Sequence, residues 1–350
     1  SYSRVMNRRS LVVLISIAAV ALGAAPYLIA TSGESEEQPA ALPMGTTVGP
    51  PTSSTGRTPE TSSSTAPEIT TTATSSPPVT VGHGGTICDP YQSITVAGTV
   101  ASPGIVEASG MAASRTQPGV FWAHNDSRDG ARVYAIGPDG ADRGAYDVAG
   151  AFAFDWEDMA AGPGADGASS SLFFGDIGDN FAIRDGRITV YRVREPDPAT
   201  LEGPIAGAVA LEFEYPDGVF NAEALFVVDD SIYVVTKDRE EARVYRGGAT
   251  GDGSSVETLE YVTSLNLGDE VSGADSSWDG STIALRGYQT VWLWHRPAGS
   301  SVADALAEEP CEAPSPDEIQ GESIAFLADR SYATISEGSN VDLFVVPFVE

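Results

Sequence analysis

"DWEDMAAG" at residues 155–162, "SLFFGDIGDN" at 171–180 and "ITVYRVRE" at 188–195 are three short apolar runs separated by turn residues. Runs of this length, rich in β-branched and aromatic residues, are typical of β-strands. Four more segments of the chain have the same order of runs. They begin with "EASGMAAS" (107–114), "NAEALFVV" (221–228), "VSGADSSW" (271–278) and "QGESIAFL" (320–327).

The spacing of these segments predicts an internal repeat. The aligned positions Gly110, Asp158, Glu223, Gly273 and Glu322 lie 48, 65, 50 and 49 residues apart. A fourth run follows most segments, as in "AVALEFEY" (208–215). Four strands in each repeat of this length are the pattern of a β-propeller. We therefore expect an all-β propeller of five blades, with six as the alternative, and consider a β-sandwich less favoured because sandwiches do not repeat at this period.

The two ends of the repeat region predict how the ring closes. The fifth segment has only three runs, and "SITVAGTVA" (93–101) is expected to supply its missing fourth strand. Cys88 precedes that strand and Cys311 precedes the fifth segment, so closure would bring both cysteines together. In an exported chain, such a pair predicts a disulfide, and two free buried thiols are the alternative.

The N-terminal part of the chain differs from the repeats. Residues 1–10 form a basic segment, and residues 11–30 are uncharged and long enough to span a bilayer as a helix. We expect residues 11–30 to be a transmembrane anchor with residues 1–10 in the cytoplasm; a cleaved signal peptide is the alternative. Residues 31–86 are a Ser/Thr/Pro-rich stalk expected to be disordered. Residues 87–350 would then be a domain outside the cytoplasm, anchored or secreted.

The charge of the chain excludes several kinds of partner. The chain has 49 acidic and 19 basic residues, a formal charge of −30, and residues 87–350 carry −29 of it. Nucleic acids and anionic membrane surfaces require Lys and Arg to neutralise phosphate, so neither is an expected partner. We expect membrane contact through residues 11–30 only, a monomeric propeller, and an extracellular ligand or an envelope protein as its partner.

Three motifs carry a resemblance to known proteins: "WAHND" (122–126), "DWEDMA" (155–160) and "GDIGDN" (175–180). With the segments around them, they resemble a family of secreted bacterial β-propeller proteins of uncharacterised function over residues 105–345. The chain is more remotely similar to the esterase-like phytase propellers. The resemblance implies a propeller and export, and it implies no catalytic residue.

Acidic side chains gather at two sets of predicted loops, before the inner strands and after the second strands. In a propeller these loops share one face, so the pattern predicts an acidic channel mouth. Clustered carboxylates repel unless a cation is bound, and hard oxygen ligands suit Ca²⁺. The predicted calcium ligands, the first three also being candidate catalytic residues, are Asp158, Glu223, Glu322, Asp176, Asp179 and Asn125. Further residues expected to contact a ligand are Asp126, Glu157, Asn180, Asn221, Arg286 and Glu337.

Two classes of function fit this mouth. The favoured interpretation is ligand binding or scaffolding at the cell envelope. The alternative is a hydrolase, either a metal-assisted esterase, lactonase or phosphatase or a glycosidase with paired carboxylates. His124 is a possible general base, but a structural role is favoured. Trp122, Trp156, Trp292 and Trp294 are expected to pack between blades instead of binding sugar.

Overall fold

A computed structural model describes residues 86–126 and 129–349. The predictions for residues 1–85, which concern the anchor or signal peptide and nearly all of the stalk, lie outside these described residues. Within the described part of the chain, no helix is both long enough and apolar enough to cross a membrane.

The described residues form twenty-one strands and one short helix. In chain order the elements are β1 (Thr95–Thr99), β2 (Ala108–Ala113), β3 (Phe121–Asn125), β4 (Arg132–Ile136), β5 (Asp142–Asp147), β6 (Trp156–Pro163), β7 (Ser170–Asp176), β8 (Arg187–Arg194), β9 (Val209–Glu214), β10 (Ala222–Val228), β11 (Ser231–Thr236), β12 (Ala242–Gly248), β13 (Glu257–Thr258), β14 (Glu260–Leu265), β15 (Gly273–Ser276), β16 (Thr282–Arg286), β17 (Val291–His295), α1 (Val302–Leu306), β18 (Cys311–Ala313), β19 (Gly321–Phe326), β20 (Tyr332–Ser336) and β21 (Asp342–Val346).

These strands form five sheets, and each sheet is one blade. Blades 1 to 4 contain β2–β5, β6–β9, β10–β12 with β14, and β15–β18; blade 5 contains β19–β21 with β1. The short strand β13 pairs in parallel with β9 and widens blade 2. The first strands of the blades contact one another in a closed ring, in the order β2, β6, β10, β15, β19 and back to β2. The prediction of a five-bladed propeller is confirmed.

Small residues allow the inner strands to approach closely around the axis. A Cβ atom added at Gly110 would lie 2.6 Å from the backbone nitrogen of Met159 on the next inner strand. Larger apolar side chains fill the space between blades, where burial of apolar surface stabilises the fold. All four tryptophans expected to pack between blades are buried, the most exposed of them at 5%.

The last blade closes the ring as predicted. β1 pairs antiparallel with β21, with Thr95 opposite Val345 and Thr99 opposite Asp342. Cys88 precedes β1, and it forms a disulfide with Cys311 in β18 of blade 4. The two cysteines are 223 residues apart in sequence and their Cα atoms are 6.1 Å apart. This confirms the predicted disulfide, which links the closing strand's N-terminal side to the neighbouring blade.

Candidate functional site

The loops before the inner strands and the loops after the second strands meet on one face, which we call the mouth face. A pocket of about 210 Å³ lies there at the end of the channel. Six carboxylates and one amine line it together with four uncharged residues; we call it the acidic pocket. Its lining residues are Glu107, Ala108, Ser109, Asp126, Glu157, Asn180, Glu223, Lys237, Gln320, Glu322 and Glu337.

Irregular pairing at the start of three inner strands places glutamates in this pocket. The register between first and second strands shifts by one residue in β6, β10 and β19, so one residue in each has no partner opposite it. The extra residues are Glu157, Glu223 and Glu322. A β-bulge of this kind changes the direction of a side chain at the end of a strand. The chain therefore uses the same local device in three blades to direct a carboxylate into the mouth.

The register also decides the role of Asp158. The sequence alignment paired Asp158 with Glu223 and Glu322, but the residue at their structural position is Glu157. Because successive side chains of a strand point to opposite faces, a shift of one residue changes what the side chain contacts. Asp158 is fully buried and does not line the acidic pocket. Instead of contacting a ligand, the carboxylate of Asp158 accepts hydrogen bonds from backbone amides.

Those amides belong to three different inner strands. The amide of Met159 donates to Asp158 Oδ1 at 2.8 Å, and the amides of Leu225 and Ala274 donate to Oδ2 at 2.8 and 2.9 Å. The strands β6, β10 and β15 are thus joined at the channel axis. Burial raises the pKa of Asp158 well above its ordinary value, although the three amides act in the opposite direction.

Blade 4 contributes no residue to the acidic pocket. No register shift is found between β15 and β16. Arg286, at the end of β16, was expected on the rim, but it is fully buried and its guanidinium forms an ion pair with Glu318. Arg286 also donates to the backbone oxygen of Ser323 at 3.4 Å. Its role in this structure is to link blade 4 to blade 5.

The predicted ligands Asp176, Asp179 and Asn125 lie beside the pocket and bind the loops around it. Asp176 pairs with Arg184 and accepts the amide of Asp155 at 3.0 Å. Asp179 accepts backbone amides of the loop that follows it, the closest at 2.7 Å. Asn125 accepts two amides of the loop before β2, at 3.0 and 3.1 Å. Short polar side chains in turns commonly have this function.

Asn221 joins two loops of the mouth. Its Oδ1 accepts the amide of Asp179 at 2.6 Å, and its Nδ2 donates to Asn180 Oδ1 at 3.1 Å. The loop "GDIGDN" is therefore fixed to the start of β10. The structure brings together Asp126, Glu157, Asn180, Glu223, Glu322 and Glu337 in one pocket, whereas Asp158 and Arg286 lie elsewhere.

One side of the acidic pocket is partly neutralised. Lys237 Nζ lies 2.6 Å from Glu223 Oε1, and Gln320 Nε2 donates to Glu322 Oε1 at 2.8 Å. Burial raises the pKa of Glu223 to about 7, although Lys237 opposes the shift. Burial and then the charge of Glu223 raise the pKa of Glu322 to about 8. Burial alone would lower the pKa of Lys237, but its ion pair with Glu223 raises it.

Three further carboxyl groups lie close together at the mouth. Carboxylate oxygens of Asp126, Asp155 and Glu157 lie within 4.8 Å of one another. Burial, followed by the charges of Glu223 and Asp126, raises the pKa of Glu157 well above its ordinary value. Burial and then the charge of Asp126 raise the pKa of Asp155 to about 6. These three residues are an acidic group of the geometry that metal ions use.

His124 is not in the pocket. Its ring is fully buried, packs at 5.4 Å from Trp156, and has Nδ1 2.8 Å from the backbone oxygen of Asn125. Burial lowers the pKa of His124, so the ring is neutral at physiological pH. The favoured structural interpretation of His124 agrees with this position.

Exposed apolar side chains share the mouth face with the acidic pocket. Ten large hydrophobic residues among the described residues are exposed, and seven of them lie in loops of the mouth face. We call these seven the apolar ring. They are Val106, Phe152, Phe154, Phe181, Ile183, Val219 and Ile319. Isolated exposed apolar residues are common, but their concentration on one face is typical of an interaction surface.

The motif analysis did not predict this ring, because it followed the acidic residues only. A signal was present, since Phe154 directly precedes "DWEDMA" and Phe181 directly follows "GDIGDN". In the fold, Arg184 lies 4.7 Å from the ring of Phe154 and pairs with Asp176, which connects the loops that carry the two phenylalanines.

A larger cavity lies away from this face. It has a volume of about 600 Å³ and is formed by α1, β17 and the chain near Cys311. Its acidic residues include Asp304, which caps α1 through Ser301. No group of three carboxylates of metal-binding geometry is found in it among the described residues. The acidic pocket therefore remains the stronger candidate site.

Comparisons with known proteins give no family for this chain. No protein-family model and no curated protein match the sequence. Among solved structures, the PQQ-bound aldose sugar dehydrogenase of Streptomyces coelicolor is 12% identical, with 73% of this chain and 97% of that chain covered and a TM-score of 0.41.

Two other solved structures are similar to the same extent. The apo aldose sugar dehydrogenase of Escherichia coli is 10% identical, covering 73% of this chain and 99% of that one, with a TM-score of 0.42. A glucose dehydrogenase is 9% identical with the same coverages and a TM-score of 0.43. Similarity at this level carries no argument about cofactor or reaction. The resemblance to phytase propellers stays an interpretation of the motifs.

Proposed function

We propose that this domain is a binding module outside the cytoplasm whose mouth face binds a basic partner. The observation that carries the proposal is the presence of the acidic pocket and the seven residues of the apolar ring on the same face. The pocket has six carboxylates against a single lysine, and that lysine is already paired with Glu223. The disulfide supports a location in an oxidising compartment, where such bonds persist.

The two parts of the mouth face define the chemistry of the partner. A Lys or Arg side chain that enters the pocket neutralises carboxylates that repel one another. Apolar side chains that flank it cover the ring, of which Phe181 is 78% exposed and Ile319 is 96% exposed. Desolvated basic and aromatic anchors commonly supply most of the energy of an interface. The partner is therefore a protein segment in which a basic residue lies between apolar ones.

Calcium belongs to the same proposal. The pocket is built from carboxylates and carboxamides, the oxygen ligands that Ca²⁺ prefers. The metal would lie among the carboxylates of the mouth instead of at Asp158, whose oxygens are occupied by backbone amides.

Hydrolysis is the second candidate function, and one observation favours it. Glu223 and Glu322 line one pocket and have pKa values raised to about 7 and about 8, in the range where a carboxyl acts as a general acid at neutral pH. A screen with ester, lactone, phosphoester and glycoside substrates, with and without EDTA, tests this function. Turnover that is lost in both Glu223→Gln and Glu322→Gln would replace the binding proposal with an enzymatic one.

Peptide binding tests the favoured function directly. The probe is a fluorescent peptide in which lysines alternate with leucines and phenylalanines, and its binding to residues 86–350 is measured by anisotropy. We expect Phe181→Ser with Ile183→Ser, and separately Glu223→Gln with Glu322→Gln, to weaken binding by about tenfold each, near 1.4 kcal/mol. The matched control is Tyr261→Ser, which removes an exposed aromatic ring in β14, outside the mouth loops.

Two further peptides complete the experiment. One replaces every lysine with glutamine, and the other replaces every apolar residue with serine; both are expected to bind at least about tenfold more weakly. Equal affinity for all three peptides, or an equal loss in the Tyr261 and Phe181 variants, would contradict the proposed partner.

A further inference from the structure

We propose that Asp126, Asp155 and Glu157 form a specific site for one divalent cation, with Ca²⁺ as the favoured ion. This inference deepens the proposed function and rests on it in treating the mouth face as a ligand-binding surface. It differs from the ligand set predicted from the sequence, because none of the three was a predicted calcium ligand.

The three carboxylates converge from three positions in the fold. Asp126 follows β3 of blade 1, Asp155 lies just before β6 of blade 2, and Glu157 occupies the bulge at the start of β6. Their candidate ligand oxygens lie within 4.8 Å of one another. Oxygens that bind Ca²⁺ at about 2.3–2.6 Å are separated by up to about 5 Å, so one ion fits among them.

Glu157 gives an independent observation in favour of a cation site. The residue is only 3% exposed, and its Oε1 has no hydrogen-bond partner among the described residues. A buried carboxylate oxygen without a partner is costly, and proteins normally pair such a group or use it to coordinate a metal. A divalent ion would satisfy Oε1 and would remove the repulsion between Glu157 and Asp155.

Gly178 keeps space open beside these carboxylates. A Cβ atom added at Gly178 would clash with Glu157 Oε1 and would lie 2.6 Å from Asp155 Oδ2. Both oxygens therefore point toward the same small region next to the "GDIGDN" loop. The amide of Gly178 donates to the backbone oxygen of Asp155 at 3.2 Å, which fixes the loop at this distance. Any larger residue would displace the carboxylates from one another.

The side-chain chemistry of Asp126, Asp155 and Glu157 favours Ca²⁺ over zinc and copper. The three side chains offer oxygen only, and neither histidine nor cysteine belongs to the group. Zinc and copper favour nitrogen or sulfur ligands, whereas Ca²⁺ binds oxygens and accepts water in its remaining positions. Asp126 and Glu157 line the acidic pocket, from which water molecules reach the ion.

Terbium luminescence and calcium calorimetry test the site at pH 8. Trp156 lies between two of the proposed ligands in the chain, so excitation of tryptophan should sensitise Tb³⁺ bound there, and Ca²⁺ should displace it. We expect one Ca²⁺ site in residues 86–350. Asp155→Asn and Glu157→Gln should each weaken Ca²⁺ binding by at least about tenfold. Gly178→Ala should do so without any change of a charged group.

The matched control is Glu212→Gln, which removes an exposed carboxylate in β9 of the same blade, outside the acidic pocket. It should retain Ca²⁺ affinity within about threefold. Thermal unfolding checks that every variant is folded, and if Gly178→Ala fails to fold, the Glu157→Gln and Glu212→Gln pair alone decides. A wild-type protein that binds neither Ca²⁺ nor Mn²⁺, or equal losses in the Glu157 and Glu212 variants, would overturn the site.

The lysine-rich peptide, measured on the same samples, separates the two proposals. If Ca²⁺ fails to bind and the peptide still binds, the metal site is wrong while the proposed partner stands. If Ca²⁺ binds with the expected variant pattern and the peptide does not bind, the metal site stands and the proposed partner is wrong.

Discussion

Two groups of buried carboxylates lie at successive levels of the same channel, and they have different partners. In the channel, Asp158 accepts three backbone amides, and Asp275 accepts the amides of Ser276 and Phe326 at 2.7 and 2.8 Å. At the mouth, Glu157 has an oxygen with no hydrogen-bond partner among the described residues. The first group joins the inner strands, whereas the second faces a pocket.

Protonation behaviour alone does not separate these two groups. Burial raises the pKa of Asp275 to about 7 and that of Glu322 to about 8. The difference lies in geometry, because the channel oxygens point at neighbouring backbone and the mouth oxygens point into open volume. A raised pKa is therefore evidence for a functional site only where a carboxylate oxygen also faces open space that a ligand can enter.

The largest effect is expected from Asp158→Ala, which removes the acceptor shared by three inner strands. Buried amides would lose a charged or strongly polar partner, and we expect a loss of about 3–5 kcal/mol in the free energy of unfolding. The measurement is urea unfolding followed by tryptophan fluorescence. Asp166→Ala is the control, because Asp166 also accepts two backbone amides but lies in an exposed turn.

The control should lose far less stability, as exposed turn residues usually do. If Asp158→Ala is no more destabilising than Asp166→Ala, the assignment of the channel carboxylates to structure is wrong.

The sequence allowed the architecture to be predicted because each blade repeats the same local rules. Strand alternation, turn residues and a period near 50 residues are all local, and each blade displays them separately. The missing fourth strand of blade 5 then required a partner from the other end of the chain. Cys88 and Cys311 agreed with that pairing, so two independent features predicted one closure.

The site was harder to predict, since its geometry depends on bulges that the sequence does not mark. In "DWEDMA" the sequence does not distinguish the acids at 155, 157 and 158, and the alignment of the repeats placed Asp158 at the position of Glu223 and Glu322. The extra residue in β6 is Glu157, and this single-residue difference decides which carboxylate faces the pocket. The prediction that Arg286 lies on the rim was wrong for a related reason. The direction of its side chain depends on the regular register of blade 4 and on the position of Glu318.

The second largest effect is expected from the disulfide, which touches neither group of carboxylates. Replacing Cys88 and Cys311 with serine removes a link between residues 223 apart in sequence. Disulfides mainly restrict the unfolded chain, and their loss typically costs about 2–5 kcal/mol. Urea unfolding of the double variant and of the reduced wild type should give the same loss. Ca²⁺ binding below the unfolding transition should be unchanged; a parallel loss would show that the mouth depends on ring closure.

The pH dependence of stability distinguishes the mouth from the rest of the protein. Folding raises the pKa of Glu322 to about 8 and that of Glu223 to about 7, above their ordinary values in the unfolded chain. Between the unfolded and folded pKa values the folded state holds more protons, so stability falls as pH rises from about 4.5 to about 8. Each such carboxyl contributes a slope of up to about 1.4 kcal/mol per pH unit.

Unfolding by urea at intervals between pH 5 and pH 8 measures this slope. We expect Glu322→Gln to match the wild type near pH 5 and to be more stable than it near pH 8. The remaining slope of the variant then reports the channel carboxylates and Glu223. If the Glu322→Gln variant keeps the full wild-type slope of stability against pH, folding does not raise the pKa of Glu322 as described.

The smallest expected effect, from Glu157→Gln, has the opposite sign to that of Asp158→Ala. At pH 8 without divalent cations, folding buries a carboxyl group whose pKa is raised well above its ordinary value. Gln avoids this cost while keeping the volume of the side chain, so we expect a gain of about 1 kcal/mol in the free energy of unfolding. Added Ca²⁺ should reverse the order, because only the wild type gains stability from binding the ion. Thermal unfolding with and without Ca²⁺ at a concentration on the order of millimolar measures both effects. A Glu157→Gln variant that is destabilised in both conditions would place Glu157 with Asp158 among the structural carboxylates and remove the distinction between mouth and channel.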